Sequence, residues 1–70
     1  MIKNITFFFN GQEYTSQNYF TLSDLLKYFD YNSSLFVVEY NHFICPKKTW
    51  NDISIQNKDI IELVTIVGGG

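Results

Sequence analysis

The run Ile60-Ile61-Glu62-Leu63-Val64-Thr65-Ile66-Val67-Gly68-Gly69-Gly70 closes the chain and decides how the rest is read. Its apolar, β-branched residues have the composition of a strand. Three glycines follow it at once, with no turn or cap between. A strand that gives way directly to a side-chain-free thread holds out the free carboxylate at the thread's end. The expectation is therefore a folded domain over residues 1–67 and a flexible glycine tail over 68–70. The carboxylate of Gly70 is expected to be the functional group, with the preceding residues as the body that presents it.

Working outward, 70 residues make one domain close to the lower limit for a self-supporting core. Seven Phe, five Tyr and one Trp offset the small size, because each buries a large area. The net charge is −2 and every basic residue is a lysine, so no basic stripe for nucleic acid is expected. Neither a secretory leader nor a membrane-spanning run is read in the sequence. Cys45 is the single cysteine, which rules out an internal disulfide and fits a reducing compartment. One Cys with one His also argues against a structural zinc site. Ala and Arg are absent while Ile, Asn, Phe, Tyr and Lys abound, a bias that suggests an AT-rich genome, plastid or low-GC bacterial.

At the other end of the chain, Ile5-Thr6-Phe7-Phe8-Phe9 reads as a strand and Asn10-Gly11 as a type I′ hairpin turn, since both residues tolerate positive φ. The return strand covers Gln12 to Ser16, with Ile5, Phe7, Phe9 and Tyr14 on the inner face and Phe8 on the outer. Thr21-Leu22-Ser23-Asp24 offers a capping box. Leu22, Leu25, Leu26 and Phe29 then form one helical stripe, which fails after Asp30. Leu35 to Tyr40 is a strand apolar on both faces, and Asn41-His42 a tight turn into Phe43-Ile44-Cys45, which Pro46 ends. Lys47 to Trp50 reads as a single helical turn that places Trp50 over one end of the core. Ile53 and Ile55 pin the next connection, Asn57 supplies a left-handed turn residue, and the last strand starts near Asp59 or Ile60. The fold class is α+β: a mixed sheet of four or five strands with one main helix on one face. If the first and last strands lie parallel at its centre, the architecture is a β-grasp.

One helix cannot cover both faces of such a sheet. Phe8, Val37, Glu39, Glu62 and Val64 should project from the open face, where they form either ordinary scattered surface hydrophobics or a partner-docking patch beside the tail. Cys45 reads as a packing residue rather than a reactive thiol, since no His or second Cys adjoins it. His42, Lys47 and Lys48 read as solvated. No catalytic residue and no metal ligand stands out.

The segments Asn10-Gly11, Thr21-Leu22-Ser23-Asp24-Leu25-Leu26, Val38-Glu39-Tyr40-Asn41, Asp59-Ile60-Ile61-Glu62-Leu63-Val64 and Val67-Gly68-Gly69-Gly70 together resemble the ThiS family. These are ubiquitin-like sulfur carrier proteins of thiamin thiazole biosynthesis, and the resemblance runs over essentially the whole chain. The Gly-Gly terminus is its specific part. Many members carry Gly in the turn where this chain has Asn57. The resemblance implies a β-grasp fold and a protein co-substrate, not an enzyme, that is monomeric when free and binds neither cofactor nor membrane. A ThiF-type adenylating enzyme would use MgATP to activate the carboxylate of Gly70. Sulfur from a cysteine desulfurase or another donor would replace AMP, and a ThiG-type thiazole synthase would take it. Gly70 would carry the adenylate and then the thiocarboxylate, while Gly68 and Gly69 thread the partners' active sites. The location implied is a plastid stroma or bacterial cytoplasm. The alternatives are a molybdopterin-type carrier, although the Pro-Pro typical before that family's glycines is missing, a ubiquitin-like modifier, or a binding module with an idle tail.

Overall fold

A computed structural model of the chain describes residues 4–65; the glycine tail expected over 68–70 lies outside the described residues. The elements follow as β1 (Ile5–Phe9), β2 (Gln12–Ser16), α1 (Leu22–Tyr28), a 3-10 turn (Ser33–Leu35), β3 (Phe36–Tyr40), β4 (Phe43–Cys45), a second 3-10 turn (Lys47–Asp52) and β5 (Ile60–Thr65). The five strands form one sheet in the order β2-β1-β5-β3-β4. β5 runs parallel to β1 and antiparallel to β3. The first and last strands are thus neighbours at the centre, and the architecture is the β-grasp.

Both hairpins are type I′ for a local reason. Asn10 and Gly11 have φ of 52° and 80°, and Asn41 and His42 have 51° and 74°. That geometry follows the strands' right-handed twist. The helix is fixed at both ends. The Thr21 hydroxyl accepts the Asp24 N–H at 3.2 Å, and the Asp24 carboxylate accepts the Thr21 N–H at 3.1 Å, the reciprocal capping box. At the other end Asp30, at φ 59°, donates its N–H to Lys27 and Tyr31 donates to Leu26, a Schellman closure. Leu22, Leu25 and Leu26 are buried against Ile5, Phe7, Phe9, Val38, Ile55 and Ile61. Phe9, Tyr14, Phe29 and Tyr31 seal one end with ring centroids 5.1–6.5 Å apart. Trp50 seals another part of the core, its Nε1–H donating to the Cys45 carbonyl at 3.0 Å.

Two expectations are corrected. Leu35 does not begin β3 but ends the 3-10 turn before it, where Asn32 Oδ1 accepts the Ser34 N–H at 3.0 Å; the short polar side chain competes with strand formation. Asn57 does not take the left-handed position. Lys58 does, at φ 72°. The Asn57 side chain accepts the Thr6 N–H at 2.9 Å while Lys58 donates its own N–H to the Thr6 carbonyl at 2.6 Å. Binding the turn to β1 through both residues leaves the positive φ to the second. Lys58→Gly should therefore raise the unfolding free energy by about 0.5 to 1 kcal/mol, seen as a higher urea midpoint, whereas Asn57→Gly should lower it.

Candidate functional site

The site has three parts: the strand that leads to the tail, the lock that fixes that strand's start, and the open face beside it. β5 is longer than the stretch β1 can pair. The register ends at Phe9 opposite Ile61, just before the hairpin turns away at Asn10. Asn10 takes over from the ladder there. Its N–H donates to the Ile61 carbonyl at 2.9 Å, and its Oδ1 accepts the Leu63 N–H at 2.9 Å. On the other side β3 pairs as far as Phe36 opposite Thr65. β5 is therefore held on both flanks as far as Leu63, and by β3 alone from there to Thr65, at the hairpin end of the sheet.

Asp59 fixes the other end of β5. Its carboxylate is buried at 7% exposure and accepts from the Tyr40 hydroxyl, from Asn41 Nδ2 at 3.1 Å and from the Gln56 N–H at 2.7 Å. Asn41 completes the lock: its Oδ1 accepts the Ile60 N–H at 2.8 Å, and its own N–H donates to the Ile60 carbonyl at 2.7 Å. One carboxylate thus joins the β3–β4 turn, the loop after Ile55 and the first residue of β5. A buried carboxylate is tolerated only with such a set of donors. Two segments quoted above for other reasons, Val38-Glu39-Tyr40-Asn41 and Asp59-Ile60, meet here.

Burial raises the Tyr40 hydroxyl well above the ordinary tyrosine range, and the adjoining Asp59 adds to the effect. A group whose proton is held more tightly in the folded state stabilises fully below its unfolded pKa of about 10. That stability is lost as pH rises beyond it, because the unfolded chain releases the proton first. The urea midpoint of the native chain should fall between pH 9 and 11 more steeply than that of Tyr40→Phe, which starts lower and varies less.

On the face away from α1, the register sets Phe8 opposite Ile60, Val37 opposite Val64, and Glu39 opposite Glu62. Ile44 stands on the far side of Glu39. The five residues expected on this face share it, and Ile60 and Ile44, both exposed, extend the patch. Sequence reading missed those two because the start of β5 and the phase of a three-residue edge strand are weakly marked. Gly68, Gly69 and Gly70 lie outside the described residues.

Other candidates are less informative. Cys45 is buried, with Sγ 3.2 Å from Thr49 Oγ1, in a packing position. His42, Lys47 and Lys48 are exposed. A concavity of about 400 Å³ between β2 and α1 is lined by Phe7, Tyr14, Phe20, Leu25 and Tyr28, with Asp24 as its one carboxylate, and that carboxylate already caps the helix. Among the described residues no group of three or more His, Cys, Asp or Glu is arranged to hold a metal, and no helix is long and apolar enough to cross a membrane.

A central parallel pair of first and last strands, one capped helix and a C-terminal strand supported on both sides define a ubiquitin-like β-grasp protein. A crystal structure of the thiamine biosynthesis protein ThiS from Geobacter metallireducens has the same fold. It matches with a TM-score of 0.82 over 94% of this chain and 100% of that one, at 19% identity. The chain belongs to the ThiS family, whose model matches residues 5–70. Among relatives, the ycf40 protein of Trieres chinensis is 66% identical over 93% of this chain and 89% of its own length. The ycf40 protein of Porphyra purpurea is 35% identical over 97% and 96%. The sulfur carrier protein ThiS of Bacillus subtilis is 34% identical over 71% and 76%.

Proposed function

We propose that this chain is a sulfur carrier, a protein co-substrate that bears sulfur as a thiocarboxylate on Gly70 and delivers it to a ThiG-type thiazole synthase. The observation that carries this reading is the family match, which runs through the terminal glycines to residue 70. The relative from Bacillus subtilis named as a sulfur carrier supports it.

The chemistry follows from the group itself. A carboxylate with a pKa of about 3.5 is ionised at neutral pH and resists nucleophiles. A ThiF-type enzyme overcomes this with MgATP: a carboxylate oxygen attacks the α-phosphorus, pyrophosphate leaves, and an acyl adenylate forms. The terminal sulfur of a desulfurase persulfide then attacks the acyl carbon and AMP departs. A thiol cleaves the resulting acyl disulfide, leaving the sulfur on Gly70. No side chain of the carrier acts as acid or base. Glycine suits residues 68 to 70 because it adds no bulk and accepts unusual φ/ψ. Fully extended, Val67 to Gly70 reach roughly 14 Å, enough to enter a cleft while the body rests at its mouth. Phe8, Val37, Glu39, Glu62 and Val64 dock that body through the open face. The setting is the reducing interior of a plastid or a bacterial cell, which suits a chain with one free, buried cysteine.

The test is choice of synthase. Once loaded with sulfur, the chain should support thiazole formation by a ThiG-type enzyme and give none of the product of a molybdopterin synthase large subunit. The reverse outcome would assign it to the molybdopterin type.

A further inference from the structure

Glu39 and Glu62 face one another across the β3–β5 ladder. Cβ atoms of directly opposed residues lie about 5 Å apart, and like charges so placed destabilise a sheet. The usual remedy is a neighbouring cation, and the sheet offers none: not one of the five strands contains a lysine or arginine. The surroundings sharpen the contrast. Val37 and Val64 form the next opposed pair along the same two strands, Ile60 lies two residues before Glu62, and Ile44 stands beside Glu39. Exposures of 36% for Ile60, 40% for Val64 and 61% for Ile44 leave these apolar groups open to a partner. Two opposed carboxylates inside an apolar frame, with no cation in the five strands around them, are an unfavourable arrangement for the free protein and a complementary one for a cation brought from outside.

We propose that Glu39 and Glu62 are a recognition pair for an arginine that the ThiF-type adenylating enzyme inserts among the apolar side chains of the open face. The inference rests on the carrier reading and adds to it the charge the partner must present. A guanidinium fits better than an ammonium, because its planar fork can donate to both carboxylates at once. The apolar frame excludes water around the contact and strengthens it. The pair would then be kept for docking at the expense of the free domain's stability.

That trade-off makes the idea testable. The double variant Glu39→Gln/Glu62→Gln keeps side-chain size and removes the repulsion, so its urea midpoint should rise. Its Kd for the adenylating enzyme, measured by calorimetry at low salt, should weaken at least tenfold. Raising the salt should weaken wild-type binding more than that of the variant. Asp30→Asn/Asp52→Asn removes the same number of charges from outside the sheet and should bind as the wild type does. Equal affinity and equal salt dependence for the Glu pair variant and wild type would overturn the proposal, as would equal weakening by the control. The carrier reading is judged apart from this, by sulfur loading of wild type. A chain that loads normally while the Glu pair variant binds undiminished would lose the recognition pair and remain a carrier.

Discussion

Asp59→Ala should remove a large part of the protein's folding stability at room temperature. The substitution strips the partner from the Tyr40 hydroxyl, Asn41 Nδ2 and the Gln56 N–H together. Each partly buried donor left unsatisfied costs about 1 to 3 kcal/mol, and water can reach some of them, so the expected loss is about 3 kcal/mol or more. Against roughly 0.05 to 0.15 kcal/mol of stability per residue, about 3.5 to 10 kcal/mol for a chain of 70 residues, such a loss removes about a third of the total or more. Asp59→Asn should fall between the two. It keeps one acceptor oxygen, but its amide meets donors where the second oxygen stood. Equilibrium urea unfolding of the three chains checks the order; an Asp59→Ala domain as stable as wild type would show that the lock contributes nothing.

The second large effect concerns chemistry and leaves the fold intact. Deleting Gly69 and Gly70, or amidating Gly70, should abolish sulfur loading while leaving the unfolding free energy from urea titration within about 0.5 kcal/mol of wild type, as surface changes generally do. Glycine suits Gly69 for a steric reason, so Gly69→Val should keep the carboxylate yet lower the adenylation rate at least tenfold through obstruction of the channel. Loading of the amidated chain at the normal rate would exclude the terminal carboxylate as the reacting group. A modifier would be told apart by isopeptide adducts on target lysines, and an idle tail by full activity after deletion.

Much of this architecture is legible locally, and what is not is long-range. Asn10-Gly11 marks its hairpin because a type I′ turn demands positive φ twice, and the helix is marked by Thr21, Asp24 and the leucine stripe. Alternation alone sets Phe7 and Phe9 inward and Phe8 outward. The same alternation puts Val37, Glu39, Glu62 and Val64 on one face, because β3 and β5 are long enough to fix their phase. Nothing local tells that the Asn10 carboxamide reaches Leu63, 53 residues on, to support the strand where β1 has ended. Nor does a lone Asp59 announce that it will gather donors from Tyr40, Asn41 and Gln56. Lys58 rather than Asn57 takes the left-handed angle because Asn57 is occupied by Thr6, a contact 51 positions away. Propensity favours Asn there; the tertiary bond overrules it.

If the chain is a sulfur carrier, another enzyme energises its last acyl group so that the group can hold sulfur. Intact-mass measurement tests this most directly, on the purified protein incubated with a ThiF-type enzyme, MgATP, a desulfurase, cysteine and a thiol. An ATP-dependent gain of about 16 Da, oxygen replaced by sulfur, is expected and should map to Gly70. An unchanged mass under conditions in which the same enzymes load an established ThiS protein would contradict the carrier reading.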